Sequence, residues 1–167
     1  MEVLLRIAVQ WAHVLAGILW IGGGFYAVVV QLPAVLAMPP AARGPAMAQL
    51  VPRQLRYILR VAEVTIVFGI VNLFVSGRGQ QLLSFDSRWS WAIAIGALLA
   101  IGLYVLVRAR VVPWTNRLLE LGSKAAGGDS AAAAEQPVLM GRVRRLAYVQ
   151  LAIGVLIVLA MVTARFS

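Results

Sequence analysis

The sequence contains no cysteine and a single histidine, and only 13% of its 167 residues are charged. The absence of cysteine excludes disulfides, thiolate metal sites, thiol nucleophiles and covalent haem attachment through a CxxCH motif. A soluble domain usually has about a quarter of its residues charged. The sequence also lacks a Walker loop, a hydrolase elbow and an HExxH motif, so nucleotide chemistry and hydrolysis find no support.

Apolar residues make up 62% of the chain and are grouped into four long runs. Runs of about 20 apolar residues are typical of transmembrane helices. We therefore predict an all-α fold, an integral membrane four-helix bundle that forms a single domain over residues 1–167 and lies in a lipid bilayer. The predicted helices cover about 4–32, 56–76, 89–107 and 146–164. Pro33 is expected to end the first helix. Cytoplasmic loops are expected over 33–55 and 108–145, with a short helix near Ala46 to Leu50 and a short amphipathic segment from Trp114 to Leu121.

Positive charge is divided unequally between the two ends of these helices. Eleven of the fifteen Lys and Arg residues lie in or beside the two predicted loops, and four lie on the opposite side. Cytoplasmic segments carry the excess of positive charge in membrane proteins, so both termini are predicted to face outward. The net charge of +9 is assigned to this bias and to anionic lipid headgroups. Nucleic acid is not an expected partner, because the arginines flank apolar runs.

The first apolar run carries nearly all of its polar and small residues on one helical face. At spacings of three, four and seven residues, this stripe contains Arg6, Gln10, His13, Gly17, Trp20, Gly24 and Gln31. Polar and small residues in a bilayer turn toward protein, because lipid offers them no partner. The stripe is therefore either a packing seam or the wall of a site.

His13 is the residue of the stripe best suited to bind a metal or a cofactor. A neutral imidazole is the usual ligand of b-type haem between the helices of a bundle. Gly17 and Gly24 would make room for the macrocycle, and Trp20 would pack on its edge. The alternative is a neutral His13 that is hydrogen-bonded to a backbone carbonyl or to Asn72.

One histidine cannot supply two imidazole ligands from one chain. A haem would be five-coordinate, would take Met161 as its second ligand, or would take a ligand from a second copy or another membrane subunit. Met161 is expected at the depth of His13, although a methionine at helical spacing is usually a packing residue. Glu63 is either a proton-relay carboxylate or, in the favoured interpretation, the partner of Arg60 three residues earlier.

The first half of the chain resembles a known family. The segments Trp11-Ala12-His13 and Trp20 to Tyr26 resemble the opening helix of the copper-resistance protein D (CopD) family and of its relatives, the HemJ-type protoporphyrinogen oxidases and the membrane part of PuuD-type urate oxidases. The segment Arg53 to Leu73 resembles their second helix. The resemblance implies a bacterial inner-membrane bundle, often associated with haem, with His13 as the ligand candidate. The lysine that HemJ-type proteins have early in the third span is absent from 89–96, so oxidase activity is not predicted.

Three alternative functions are considered, and the sequence does not separate the first two. The first is a haem b protein that serves electron transfer or a redox membrane complex. The second is a non-catalytic accessory subunit of a larger membrane complex. The third is copper transport, which would require several Met or His residues in register within the membrane.

Overall fold

The computed structural model describes all 167 residues and contains helices but no strand. The four long helices are α1 (Glu2–Ala37), α2 (Pro40–Val75), α4 (Arg88–Ala126) and α5 (Ser130–Arg165). A short helix, α3 (Gly79–Ser84), connects α2 to α4. Each long helix is apolar and long enough to cross a membrane. The predicted all-α bundle with four membrane-spanning helices is therefore confirmed.

The long helices extend well beyond the apolar runs. Each has 36 or 39 residues, which at ~1.5 Å per residue corresponds to about 54–58 Å, against ~30 Å for a hydrocarbon core. Most of 33–55 and 108–145, predicted as loops, is helical. Only residues 38–39 and 127–129 interrupt the helices there. The prediction of loop conformation was therefore wrong for most of these segments, and the short pieces expected near 46–50 and 114–121 are parts of the long helices α2 and α4.

Two π-turns explain how the helices continue through Pro33 and Pro113. The π-turn Ala27–Gln31 lies just before Pro33 in α1, and the π-turn Val107–Val111 lies just before Pro113 in α4. A proline ring clashes with the carbonyl four residues earlier and removes an amide donor. A widened turn at that place accommodates both effects. The helix axis therefore continues through Pro33, and that part of the prediction was wrong.

The helices pair as two antiparallel hairpins, α1 with α2 and α4 with α5. The hairpins meet in a central apolar cluster formed by Trp20, Ala62, Leu103, Val107 and Ile157. Most other apolar side chains on the four helices are exposed, as a lipid-facing surface requires.

Beyond the apolar runs, residues 112–145 of α4 and α5 form a helical extension that we call the stalk. It has a small core of its own, with Leu118, Leu121, Ala132 and Leu139 buried and Met47 of α2 packed against them. Ion pairs on the stalk surface join Arg117 and Lys124 to Glu120, and Arg117 to Glu135. The stalk is therefore a packed extension of the second hairpin.

Candidate functional site

His13 lies in the seam between α1 and α2. Its Nδ1 is 2.8 Å from the backbone carbonyl oxygen of Thr65, whose own hydroxyl donates to the carbonyl of Val61 at 2.7 Å. A carbonyl oxygen can only accept, so Nδ1 of a neutral His13 carries the proton and Nε2 carries the lone pair. The backbone-carbonyl partner was one of the two alternatives for a neutral His13, and Asn72 was the other.

Gly69 provides the space that the imidazole ring occupies. A Cβ added at Gly69 would lie 2.8 Å from Cε1 and 3.1 Å from Nδ1 of His13. Real Cβ atoms do not approach other heavy atoms at 2.8 Å, so any larger residue would displace the ring. Gly69 lies on the small and polar face of the second apolar run. The sequence did not show that it faces His13, because that requires the register of the two helices.

The second ring nitrogen of His13 remains available. Nε2 makes no hydrogen bond within the chain, and the structure contains no buried side-chain nitrogen or oxygen without a partner. Nε2 is therefore not fully buried within the chain. A histidine whose Nδ1–H is held by a backbone carbonyl and whose Nε2 is free has the arrangement that metal-ligating histidines commonly show.

Two pairs of amide side chains form hydrogen bonds between α1 and α2, one on each side of His13 along the helices. Asn72 donates to the side-chain oxygen of Gln10 at 2.6 Å, and Gln31 donates to that of Gln54 at 2.8 Å. Between them Gly17 faces Thr65, whose Cγ2 would lie 3.6 Å from a Cβ at Gly17. Asn72 is thus bonded to Gln10 and not to His13.

Trp20 and Gly24 lie in a different place from His13. Both line a cavity of about 60 Å³ between the hairpins, together with Gln150 and Gly154 of α5. Cofactor and ligand pockets usually measure about 300–1,000 Å³. The interior of one chain therefore does not enclose a haem beside Trp20 and Gly24. The His13 imidazole fits a haem ligand, but the interior beside the stripe does not fit the macrocycle.

Met161 packs between α4 and α5. A Cβ at Gly96 would overlap its terminal methyl, and Met161 also packs against the central cluster. This packing is the usual role of a methionine at helical spacing. The residues predicted to bind the cofactor are thus distributed over three places. These are the α1–α2 seam (His13, Gly17 and Asn72), the cavity between the hairpins (Trp20 and Gly24) and the α4–α5 contact (Met161).

Glu63 links the two hairpins through a bond that the sequence did not predict. The predicted ion pair with Arg60 is confirmed, at 3.1 Å between Nη1 and Oε2. The hydroxyl of Tyr104 on α4 donates to the other carboxylate oxygen at 2.9 Å. Apart from Ser90 and the two tryptophans at its start, Tyr104 is the only polar group of the third run, which was the only available signal. Glu63 is thus bonded on both oxygens.

The structure contains no group of three or more His, Asp or Glu residues that could hold a metal ion. Comparison with known proteins finds no matching family model, no similar curated protein and no similar solved structure. The fold defines the class of the protein, an integral membrane helical bundle with four candidate spans. The resemblance to the CopD family stays a prediction from the residues of the first two helices.

Proposed function

We propose that this membrane protein binds haem b through Nε2 of His13 and serves electron transfer or a redox membrane complex. The observation that carries the proposal is the 2.8 Å contact between Nδ1 of His13 and the Thr65 carbonyl. It fixes the tautomer, leaves the Nε2 lone pair free and makes the imidazole a better donor to iron. An ionisable residue inside a membrane is a functional candidate by default.

The haem site of this proposal lies at the surface of the α1–α2 hairpin, between this chain and a second polypeptide. The cavity beside Trp20 and Gly24 is too small for a macrocycle, and the chain has one histidine. A second copy or another subunit would cover the haem and can supply a second ligand. The residues of the first helix that resemble the CopD family also support His13 in this role.

In this arrangement the chain has three tasks. His13 supplies the ligand, the Thr65 carbonyl orients the ring, and Gly69 leaves room for it. A bound haem would supply one-electron chemistry, with a potential set by the second ligand and the polarity around it.

An absorption spectrum of the detergent-solubilised protein tests the proposal. We expect a Soret band that is lost in His13→Ala and retained in Asn72→Ala, because Asn72 bonds to Gln10 and not to the ring. Circular dichroism would show that both variants keep their helices. A folded wild-type protein without a Soret band, or a band that persists in His13→Ala, would contradict it.

A second candidate is a non-catalytic accessory subunit. Its supporting observation is that His13, Asn72 and Met161 each have a packing or hydrogen-bond partner within the chain. This function predicts co-purification with larger membrane subunits that does not change in His13→Ala. Copper transport ranks third, because the one methionine within a predicted span, Met161, is packed against Gly96. Cellular copper accumulation in cells with and without the protein tests it.

A further inference from the structure

We propose that Arg60 and Arg108 form a binding site for the phosphate group of one anionic phospholipid, at the junction of α2 and α4. The site lies where the apolar runs end and the stalk begins, in the leaflet predicted to be cytoplasmic. It is separate from the His13 seam. The argument rests on three features: the fixed position of Arg60, the unpaired donors around it and the depth of the cluster.

Arg60 is held in place by the bond between the hairpins. Glu63 accepts from Tyr104 on one oxygen and from Arg60 on the other. The carboxylate therefore orients one edge of the guanidinium. Arg60 has five N–H donors, and one of them is used in the chain. Its side chain is 83% exposed, so the remaining donors face outward.

Arg108 completes the cluster from the other hairpin. It is exposed and makes no ion pair within the chain. It follows Tyr104 by four residues on α4, and Tyr104 bonds to Glu63, the partner of Arg60. Two guanidinium groups and one carboxylate leave one net positive charge. That charge matches the single negative charge of one phosphodiester, and guanidinium groups bind phosphate oxygens in a fixed geometry.

The depth of the cluster favours a lipid as the source of the phosphate. Tyr104 lies within the apolar run of α4, and Arg108 lies one helical turn beyond it, about 6 Å along the axis. An exposed arginine at this level meets lipid headgroups, and an unpaired charge facing the bilayer is unfavourable. Basic groups between transmembrane helices at this face are known to bind anionic headgroups.

Retention of phosphatidylglycerol by the purified protein in mixed micelles with a neutral detergent tests the proposal, with native mass spectrometry as the readout. We expect one retained molecule and weaker retention of phosphatidylcholine. Arg60→Gln and Arg108→Gln should each weaken the affinity about tenfold, as the loss of one charged hydrogen bond implies. Arg53→Gln removes the same charge from α2, where Arg53 bonds only to Gln49, and should leave retention unchanged.

Further variants keep the test decisive if Arg60→Gln disturbs folding. Arg60→Lys retains the charge without the planar group and should give an intermediate affinity. Tyr104→Phe frees Glu63 without removing a positive charge and should weaken retention less than Arg60→Gln. Equal losses in Arg53→Gln and Arg60→Gln, or equal retention of the two lipids, would overturn the proposal. Displacement of the lipid by inorganic phosphate at an equal concentration would overturn the assignment to a lipid.

Discussion

Replacing Gly69 by alanine places a methyl group where the His13 ring now lies. The added carbon would be 2.8 Å from Cε1 and 3.1 Å from Nδ1 of His13. The ring cannot move away without lengthening the 2.8 Å hydrogen bond to the Thr65 carbonyl. The substitution therefore tests both the packing of α1 on α2 and the orientation of the proposed ligand.

Three terms set the expected change in the free energy of unfolding. Overpacking in a filled seam destabilises by about 1–3 kcal/mol. Loss of an interhelical hydrogen bond in a membrane adds about 0.6 kcal/mol. The better helix propensity of alanine offsets about 0.5–1 kcal/mol of this. The net expectation is a loss of about 1–3 kcal/mol, since the packing term is the largest.

Reversible unfolding in mixed micelles, followed by circular dichroism, measures this change. Gly102→Ala is the matched control, because a Cβ at Gly102 meets nothing within 4 Å. It should leave stability unchanged or raise it by up to about 1 kcal/mol, through helix propensity alone. If Gly69→Ala were as stable as the wild type, or changed by the same amount as Gly102→Ala, the placement of His13 over Gly69 would be refuted.

Three further predictions concern the hairpin contact and the stalk. Tyr104→Phe removes the donor to Glu63 and should lower the stability of the bundle by less than Gly69→Ala does, measured by the same unfolding assay. Leu121→Ala, in the buried core of the stalk, should cost about 2–5 kcal/mol through the cavity it leaves, measured by unfolding of the stalk. Glu120 lies in the stalk, beyond the apolar part of α4, and bonds to Lys124 lower its pKa below the usual 4.5. The contribution of its ion pairs to the stability of the stalk is present above pH 4.5 and should be lost as the pH falls through the lower, folded-state pKa, measured by unfolding at a series of pH values.

Each of these has a matched control. Phe74→Leu changes an exposed aromatic residue on α2 and should not reproduce the effect of Tyr104→Phe. Val138→Ala, at an exposed position of the stalk, should cost far less than Leu121→Ala, and equal losses would contradict a stalk core. Glu120→Gln should reduce the acid sensitivity of the stalk, and an unchanged pH profile would show that its ion pairs contribute nothing.

The sequence was sufficient for the membrane class, the number of spans and one side-chain contact. Uncharged apolar runs identify spans because lipid leaves backbone groups no partner outside a helix. The Arg60–Glu63 pair followed from a spacing of three residues on one helix and is confirmed at 3.1 Å. Such features depend on local spacing alone.

Features that depend on how helices pair were not predictable in the same way. Pro33 was expected to end α1, but a π-turn placed before it allows the helix to continue. The bond from Tyr104 to Glu63 joins residues 41 positions apart. The contact between His13 and Gly69 likewise depends on how α1 packs on α2. The stripe from His13 to Gly24 was a single pattern in the sequence. The structure divides it, because His13 and Gly17 face α2 whereas Trp20 and Gly24 face the cavity toward α5.

Haem titration of purified, haem-free protein tests the role of His13 most directly. We expect a saturable Soret band in the wild type and none in His13→Ala. Gly69→Ala should bind haem more weakly, because the added methyl group displaces the His13 ring. Equal binding by the wild type and His13→Ala, or no band in folded wild-type protein, would contradict the proposal that His13 is a haem ligand.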